Sequence, residues 1–545
     1  MQLVDRRIGF LFALFLCLLF VAAARATWLG TVRSEDLGSR ALSQQVEELT
    51  VYARRGTITD RNGVELAVSE DATTVFANPF LIDDPAGTAA KLSPLLGMST
   101  AEILGLIGDR EVGFVYLRRK LDSTRGEKVR RLEIEGIGTM VEPRRSYPQG
   151  PLASQLLGSV GTDNVGLSGL EHSREESLHG TDGERKIVKD ATGKPVSIVD
   201  VEHAEAGDDL KLTLDAAIQE RTEAVLSELG QLYQPRGATA LVLDPRNGDV
   251  LAMANWPRVD ANDIDSAPEY ARQNRAVGFS YEPGSTFKAF TVAGALEEKL
   301  VTPKTEFTIG PTIQVADRTI GEAHDGGGGT LTVSDIVAQS SNVGTVTIGL
   351  RLGTERFDAW VRRFGFGEPT GIDLPGEEAG IVPRPESYSG SSIGNLPIGQ
   401  GLAVTPIQMA YGYSAIANGG VAHRPHVLWG SADSGTRIMS ATNARRVSRM
   451  LEGVLQAGGT AQEAAIEGYT LAGKTGTAQK AENGGYSKTD YVASFIGFAP
   501  SRDPRLLVSV MVDEPQGSIY GGDVAAPAFE KIASFALPYL RIPPD

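Results

Sequence analysis

A serine hydroxyl becomes a useful nucleophile only when a nearby base takes its proton, and a lysine is such a base only while its amine is neutral. The chain carries one Ser-x-x-Lys, Ser285 to Lys288, inside "EPGSTFK". Pro283-Gly284 suits a helix start and "STFKAFTVAGALEE" continues as a helix, so Lys288 falls one turn along on the face of Ser285. One Ser-x-Asn follows, Ser340 to Asn342 in "QSSNVG", and then one Lys-Thr-Gly, Lys474 to Gly476 in "AGKTGTAQ". Burial and a second cation such as Lys474 would both push the Lys288 amine towards its neutral form. Ser340 and Asn342 can relay a proton and hold a substrate amide. Read as a strand, Lys474 to Thr477 offers a cation and the Thr475 and Thr477 hydroxyls to a substrate carboxylate. Its edge N–H groups suit a developing oxyanion, and Gly476 lets a substrate lie close.

Taken singly, each motif has an ordinary explanation: Ser285 as a helix cap, Lys288 as a solvated helical lysine, Ser341 as a mere neighbour. The three together, in this order, outweigh those readings.

The same Lys-Thr belongs to "GYTLAGKT", Gly468 to Thr475, which fits the phosphate-cradling G-x-x-x-x-G-K-[ST] of nucleotide hydrolases. That loop needs a buried strand before its first glycine and a helix beginning at the Lys-Thr. Here the charged, helix-forming "AQEAAIE" precedes Gly468, and Gly484-Gly485 would break a following helix. Asp513-Glu514, the candidate magnesium carboxylates, close an apolar run that pairs naturally with "YVASFIGF" as a hairpin. An ATPase is therefore a distant alternative.

The elements that must position these residues are legible in part. "DAAIQERTEAVLSELGQLY" is an amphipathic helix, and "ATALVLD" and "DVLAMAN", joined by "PRNG", form a hairpin. "YVASFIGFAP" and "RLLVSVMVDEP" form a second antiparallel pair. Strands at both ends with helices between predict an α+β domain whose sheet is assembled from distant segments. Upstream, "RRGTITDRNGVELAVS" reads as strand, turn, strand, residues 29–50 as a juxtamembrane helix, and residues 70–135 as mainly helical. Glycine-rich stretches from Gly158 to Gly193 imply tight turns, and "HDGGGGT", His324 to Thr330, reads as a flexible loop that could border the site. A boundary is expected near residues 201–215.

A chain of 545 residues exceeds what one core serves, so at least two domains are expected. A formal charge of −16 gives no electrostatic footprint for nucleic acid. "IGFLFALFLCLLFVAAA", Ile8 to Ala24, is long enough to span a bilayer core, and Arg6-Arg7 before it favours a cytoplasmic N-terminus. "ARA", Ala24 to Ala26, leaves a cleaved signal peptide as the alternative. Either way the chain after about Trp28 is expected outside the cytoplasm, where ATP is not available. Cys17, the single cysteine, lies inside the apolar run and allows no intrachain disulfide. Six histidines, none at metal-ligand spacing, give no reason to expect a metal, and no cofactor is expected.

The anchor, "RGTITDRNGVELA", "RRSYP", "GLSGLE", "LTLDAAIQ", "NRAVGFSYEPGSTFK", "SSNVG" and "GKTGTAQ" resemble, in order and along nearly the whole chain, a class B penicillin-binding protein. The resemblance implies an anchor over 1–28, a pedestal domain of the penicillin-binding-protein dimerisation type over 29–205, and a β-lactamase-like transpeptidase domain over 206–545. It implies Ser285 as acylated nucleophile, Lys288 as general base, Ser340 as proton shuttle and Asn342 as orienting group. Lys474, Thr475 and Thr477 would bind the substrate carboxylate, with the Ser285 and Thr477 N–H groups as oxyanion hole. The implied substrate is the D-Ala-D-Ala end of a peptidoglycan stem peptide, the implied inhibitors are β-lactams, and the implied partners are a membrane glycan polymerase and division proteins. "YEPGSTFK" and "GKTGTA" look more like the division-specific septal enzymes than the elongation type. A D-Ala-D-Ala carboxypeptidase differs only in whether water or an amine resolves the acyl-enzyme. A non-catalytic scaffold is disfavoured because every reactive position is retained. The "RGTITDRNG" and "GLSGLE" stretches are expected to serve turns and packing.

Overall fold

The computed structural model describes residues 2–31, 46–109, 112–189, 195–323, 328–482 and 485–545. The apolar run lies in a helix, Gln2–Thr31, whose stretch Ile8–Leu29 is unburied and long and apolar enough to cross a membrane. The juxtamembrane helix expected over 29–50 differs: the helix ends at Thr31 and β1 (Val46–Val51) is a strand, while 32–45 lie outside the described residues. β1 pairs antiparallel with β6 (Gly183–Lys189), which pairs with β7 (Pro195–Glu202). Tertiary pairing overrides the weak helical propensity of "VEELTV".

Residues 70–135 are mixed. β3 (Glu65–Ala77) is thirteen residues long, because "ATTVFA" supplies β-branched and aromatic side chains where two neighbouring strands lie. Those neighbours are β4 (Val115–Leu121) and β5 (Ile137–Ser146), both antiparallel to it. The helical part is where the periodicity put it, as Pro85–Leu96, Thr100–Ile107 and Ser123–Arg130. Gly97 ends the first of these at φ +65, and Ser99 opens the second with a capping box to Glu102. Val75, Leu92, Ile103 and Val129 belong to a small core of their own.

Three of the upstream motifs meet in one buried knot. Arg55 donates to Glu171 Oε2 and to the Glu171 carbonyl, both at 2.9 Å, and Arg145 donates to Glu171 Oε1 at 2.5 Å. Arg145 also holds the Gly56 carbonyl at 2.8 Å. "RRG", "RRSYP" and "GLSGLE" thus share a single ion-pair network whose side chains are almost fully buried. "DRNG" makes a second joint: Asp60 accepts from the N–H groups of Asn62, Val64 and Ala216. Beside it β2 (Ile58–Thr59) pairs antiparallel with β3 and parallel with β8 (Leu210–Lys211). These stretches serve turns and packing.

The larger sheet runs in the order β10-β9-β19-β18-β17, all antiparallel. β9 (Gly237–Leu243) and β10 (Val250–Trp256) are the first expected hairpin. β17 (Ala472–Glu482), β18 (Gly485–Ala499) and β19 (Leu506–Asp513) come from the other end of the domain. Every residue of β9 and β19 is buried, so helices cover both faces of the sheet. The Ala216–Tyr233 and Ala526–Tyr539 helices pack together and on β10 and β19. The Lys288–Glu297, Pro406–Ala417 and Ala441–Glu452 helices form a second set, reaching β17 and β19. β17 is left at the sheet edge.

Between them, β11 (Glu306–Ile309) pairs with β14 (Gly329–Thr332), and β12 (Thr312–Val315) with β13 (Arg318–Gly321). The second hairpin ends against the start of the Asn342–Leu352 helix.

Candidate active site

Ser285 stands in a 3₁₀ turn, Gly284–Phe287, that runs directly into the Lys288–Glu297 helix. In a 3₁₀ turn residues three apart eclipse, which puts Ser285 and Lys288 on one side more closely than a regular helix would. Gly284 takes φ +54 and donates its N–H to the Gly399 carbonyl at 3.0 Å. That left-handed residue lets the chain bend sharply before the serine.

Lys288 is fully buried. Its Nζ donates to the Ser340 carbonyl at 2.6 Å, to Ser340 Oγ at 3.2 Å and to Asn342 Oδ1 at 2.6 Å. Ser340 adopts φ +60, a left-handed conformation that costs a non-glycine residue about 1 kcal/mol. The bend presents carbonyl and hydroxyl to the same ammonium. Ser341 is a helix cap, accepting from the Gly344 N–H at 2.9 Å.

β17 brings up the third motif. Lys474 is fully buried, with Nζ 3.3 Å from both the carbonyl and Oγ1 of Thr475. The Thr475 hydroxyl lies 2.8 Å from that of Thr460, and Thr477 Oγ1 accepts from the Gly521 N–H at 3.1 Å. Gly476 serves a close approach of protein segments. A Cβ there would meet Ser494 Oγ at 2.4 Å, the Pro283 carbonyl at 2.9 Å and Thr286 Cγ2 at 3.0 Å. The bare glycine lets the serine loop seat against the strand.

A cavity of about 1010 Å³ opens above these groups. Ser285, Ser340, Asn342, Thr475 and Thr477 line it, while Lys288 and Lys474 lie beneath its floor. Burial pushes the Lys288 amine down to about 7, with Glu322 opposing the shift. Burial, and then the charge of Lys288, holds Lys474 well below the usual lysine range. Burial favours the neutral amine at both positions, the form in which a lysine can act as a base.

The sequence reading missed several lining residues. Glu322, Gln400, Thr460, Gln479, Tyr491 and Tyr520 all border the cavity. Gln479 closes "AGKTGTAQ", Tyr491 opens "YVASFIGFAP" and Glu322 stands two residues before His324, while Gln400, Thr460 and Tyr520 come from segments with no local signature. Of "HDGGGGT", residues 324–327 lie outside the described residues; Gly328 lines the cavity.

The nucleotide reading fails on this geometry. Lys474-Thr475 lies within an antiparallel strand, and no helix starts there. Asp513 and Glu514 accept from Lys480 at the end of β19. Among the described residues no group of three or more His, Cys, Asp or Glu side chains could hold a metal ion.

Comparison with known proteins identifies the family. Residues 238–534 match the penicillin binding protein transpeptidase domain, and residues 50–212 match the penicillin-binding protein dimerisation domain. The chain is 35% identical over 562 residues to stage V sporulation protein D of Bacillus subtilis, covering 99% of this chain and 87% of the relative. It is 31% identical over 542 residues to peptidoglycan D,D-transpeptidase FtsI of Escherichia coli K12, covering 97% and 91%. Among solved structures, penicillin binding protein 3 of Mycobacterium tuberculosis complexed with aztreonam superposes with a TM-score of 0.71 at 31% identity, over 91% of this chain and 98% of that one. Ser-x-x-Lys, Ser-x-Asn and Lys-Thr-Gly are the motif set of penicillin-binding proteins, here gathered at one sheet edge. The chain belongs to the class B penicillin-binding proteins.

Proposed function

We propose that the chain is a peptidoglycan D,D-transpeptidase that cross-links stem peptides through an ester on Ser285. The observation that carries this is the Lys288 ammonium held by Ser340 and Asn342 one turn from Ser285, with Lys474 behind the same cavity wall. In its neutral form Lys288 takes the Ser285 proton. Ser285 Oγ then attacks the carbonyl carbon of the penultimate D-alanine. The C–N bond breaks, and D-alanine leaves with a proton returned through Ser340. An amine from a second stem attacks the ester, an amide forms and Ser285 regains its proton. Asn342 orients the substrate amide. Thr475 and Thr477 hold the terminal carboxylate with the Lys474 amine buried beneath them, and the N–H groups of Ser285 and Thr477 stabilise the oxyanion. A β-lactam enters the same step but has no departing D-alanine, so its ester persists.

We read 1–28 as the tail and anchor with the N-terminus in the cytoplasm, 29–205 as pedestal and 206–545 as an extracytoplasmic transpeptidase domain. The long apolar helix and the two family matches support this. The likeness to FtsI and to a sporulation protein supports work at a septum, beside a membrane glycan polymerase and division proteins.

Labelled penicillin should attach covalently to Ser285 in the purified chain and not to the Ser285→Ala variant. Labelling of that variant, or none of the wild type, refutes the reading. Product analysis with a stem-peptide thioester and an amine acceptor then separates cross-linking from simple release of the acid.

A further inference from the structure

Glu322 is the cavity residue that the mechanism above leaves unused. It follows β13 directly and is half-buried on the cavity wall. One carboxylate oxygen, Oε2, accepts from the Asn342 backbone N–H at 2.7 Å, and the other accepts from the Ser341 hydroxyl. The preceding residue completes the clamp, since the Gly321 carbonyl accepts from Asn342 Nδ2 at 3.0 Å. With Nδ2 so fixed, the Asn342 amide must turn Oδ1 towards Lys288, where it accepts at 2.6 Å. A carboxylate at the first N–H of the Asn342–Leu352 helix is also where the helix end favours negative charge.

Among the described residues the charged group that acts on Lys288 is Glu322, while Lys288 in turn acts on the buried Lys474. Ser340 and Asn342, its direct partners, are neutral. Glu322 therefore supplies the negative charge that opposes burial.

We infer that Glu322 is a positioning residue of the acylation step: its carboxylate fixes the Ser341–Asn342 turn and supplies the counter-charge that decides how readily Lys288 gives up its proton. This rests on the acyl-transfer reading above. Removing the charge makes Lys288 lose its proton at lower pH, so the acidic limb of acylation must move down. A purely structural role would lower the rate and leave the limb in place.

The test is the pH profile of penicillin acylation by the full-length, detergent-solubilised chain, with thermal melting as a folding control. Glu322→Gln keeps the shape and one acceptor oxygen, its NH2 facing the other anchor, without the charge. The half-point of its acidic limb should fall by about half a pH unit, raising the rate at pH 6 relative to pH 8 about two- to threefold. Glu322→Ala should show the same shift with a lower plateau, and whichever of the two variants folds decides the matter. Glu322→Asp, which restores the charge, should return the limb towards the wild type. Ser341→Ala removes one anchor, keeps the charge and should leave the limb unmoved. A limb that stays put in both uncharged variants, or moves equally in Ser341→Ala, overturns the inference. A wild-type chain that takes up no penicillin refutes the underlying function instead.

Discussion

Lys288 and Asn342, 54 positions apart in sequence, meet through a hydrogen bond of 2.6 Å from the lysine Nζ to the asparagine Oδ1. The bond joins the start of the serine's own helix to the start of the Asn342–Leu352 helix. It ties Lys288 to the turn that carries Ser340. The Ser340 carbonyl, also at 2.6 Å, makes the same connection through the backbone.

Breaking that tie should show in the chemical step. Asn342→Ala removes an acceptor from a buried ammonium and frees the turn, so penicillin acylation at saturation should fall about 10- to 100-fold. Stopped-flow acylation kinetics measure it; a change of less than about threefold would mean the contact does not matter.

The buried Lys288 should cost stability. Its folded value, about 7, lies below the ordinary lysine value of 10.5, so between those pH values the unfolded chain binds more protons than the folded one. Stability contributed by this group therefore rises with pH across that window and is lowest below it. Lys288→Met should abolish acylation yet gain on the order of 1 kcal/mol at pH 6, with the gain shrinking towards pH 10. Chemical denaturation at several pH values gives the comparison.

Lys474 should matter most for ligands that carry a carboxylate. Lys474→Ala should lower the second-order acylation rate for penicillin about 10- to 100-fold, as expected for losing the cation that lies beneath the carboxylate site. A penicillin methyl ester should react equally with both proteins. A uniform loss for acid and ester would point to a folding defect.

The pedestal knot makes a prediction about stability alone. Glu171→Ala leaves the buried Arg55 and Arg145 guanidiniums without their shared counter-ion, which should cost about 3–5 kcal/mol. Thermal unfolding of the full chain reads this directly. Replacing exposed Asp71, which pairs with Arg54 at the surface, should change stability by less than about 1 kcal/mol.

Much of the chemistry was legible in the residues themselves. Ser285 with Lys288, Ser340 with Asn342 and Lys474 to Thr477 could be named because each motif is short and its spacing acts within one turn or strand. The apolar helix and the two hairpins of the large sheet followed from local periodicity for the same reason. Where propensity was weak, as in Val46–Val51 and along Glu65–Ala77, pairing with distant strands decided the outcome.

What only the tertiary structure decided were relationships between segments. The fold buries the Lys474 ammonium beneath the cavity floor and seats the serine loop against Gly476, neither of which the motif itself reveals. Glu322 carries no motif, and its meaning comes wholly from the β12–β13 hairpin that delivers it to Asn342. Residue types and near spacing encode which groups can react. Burial, and the charge that burial leaves facing Lys288, depend on chain segments far apart in sequence, so only the folded molecule fixes them.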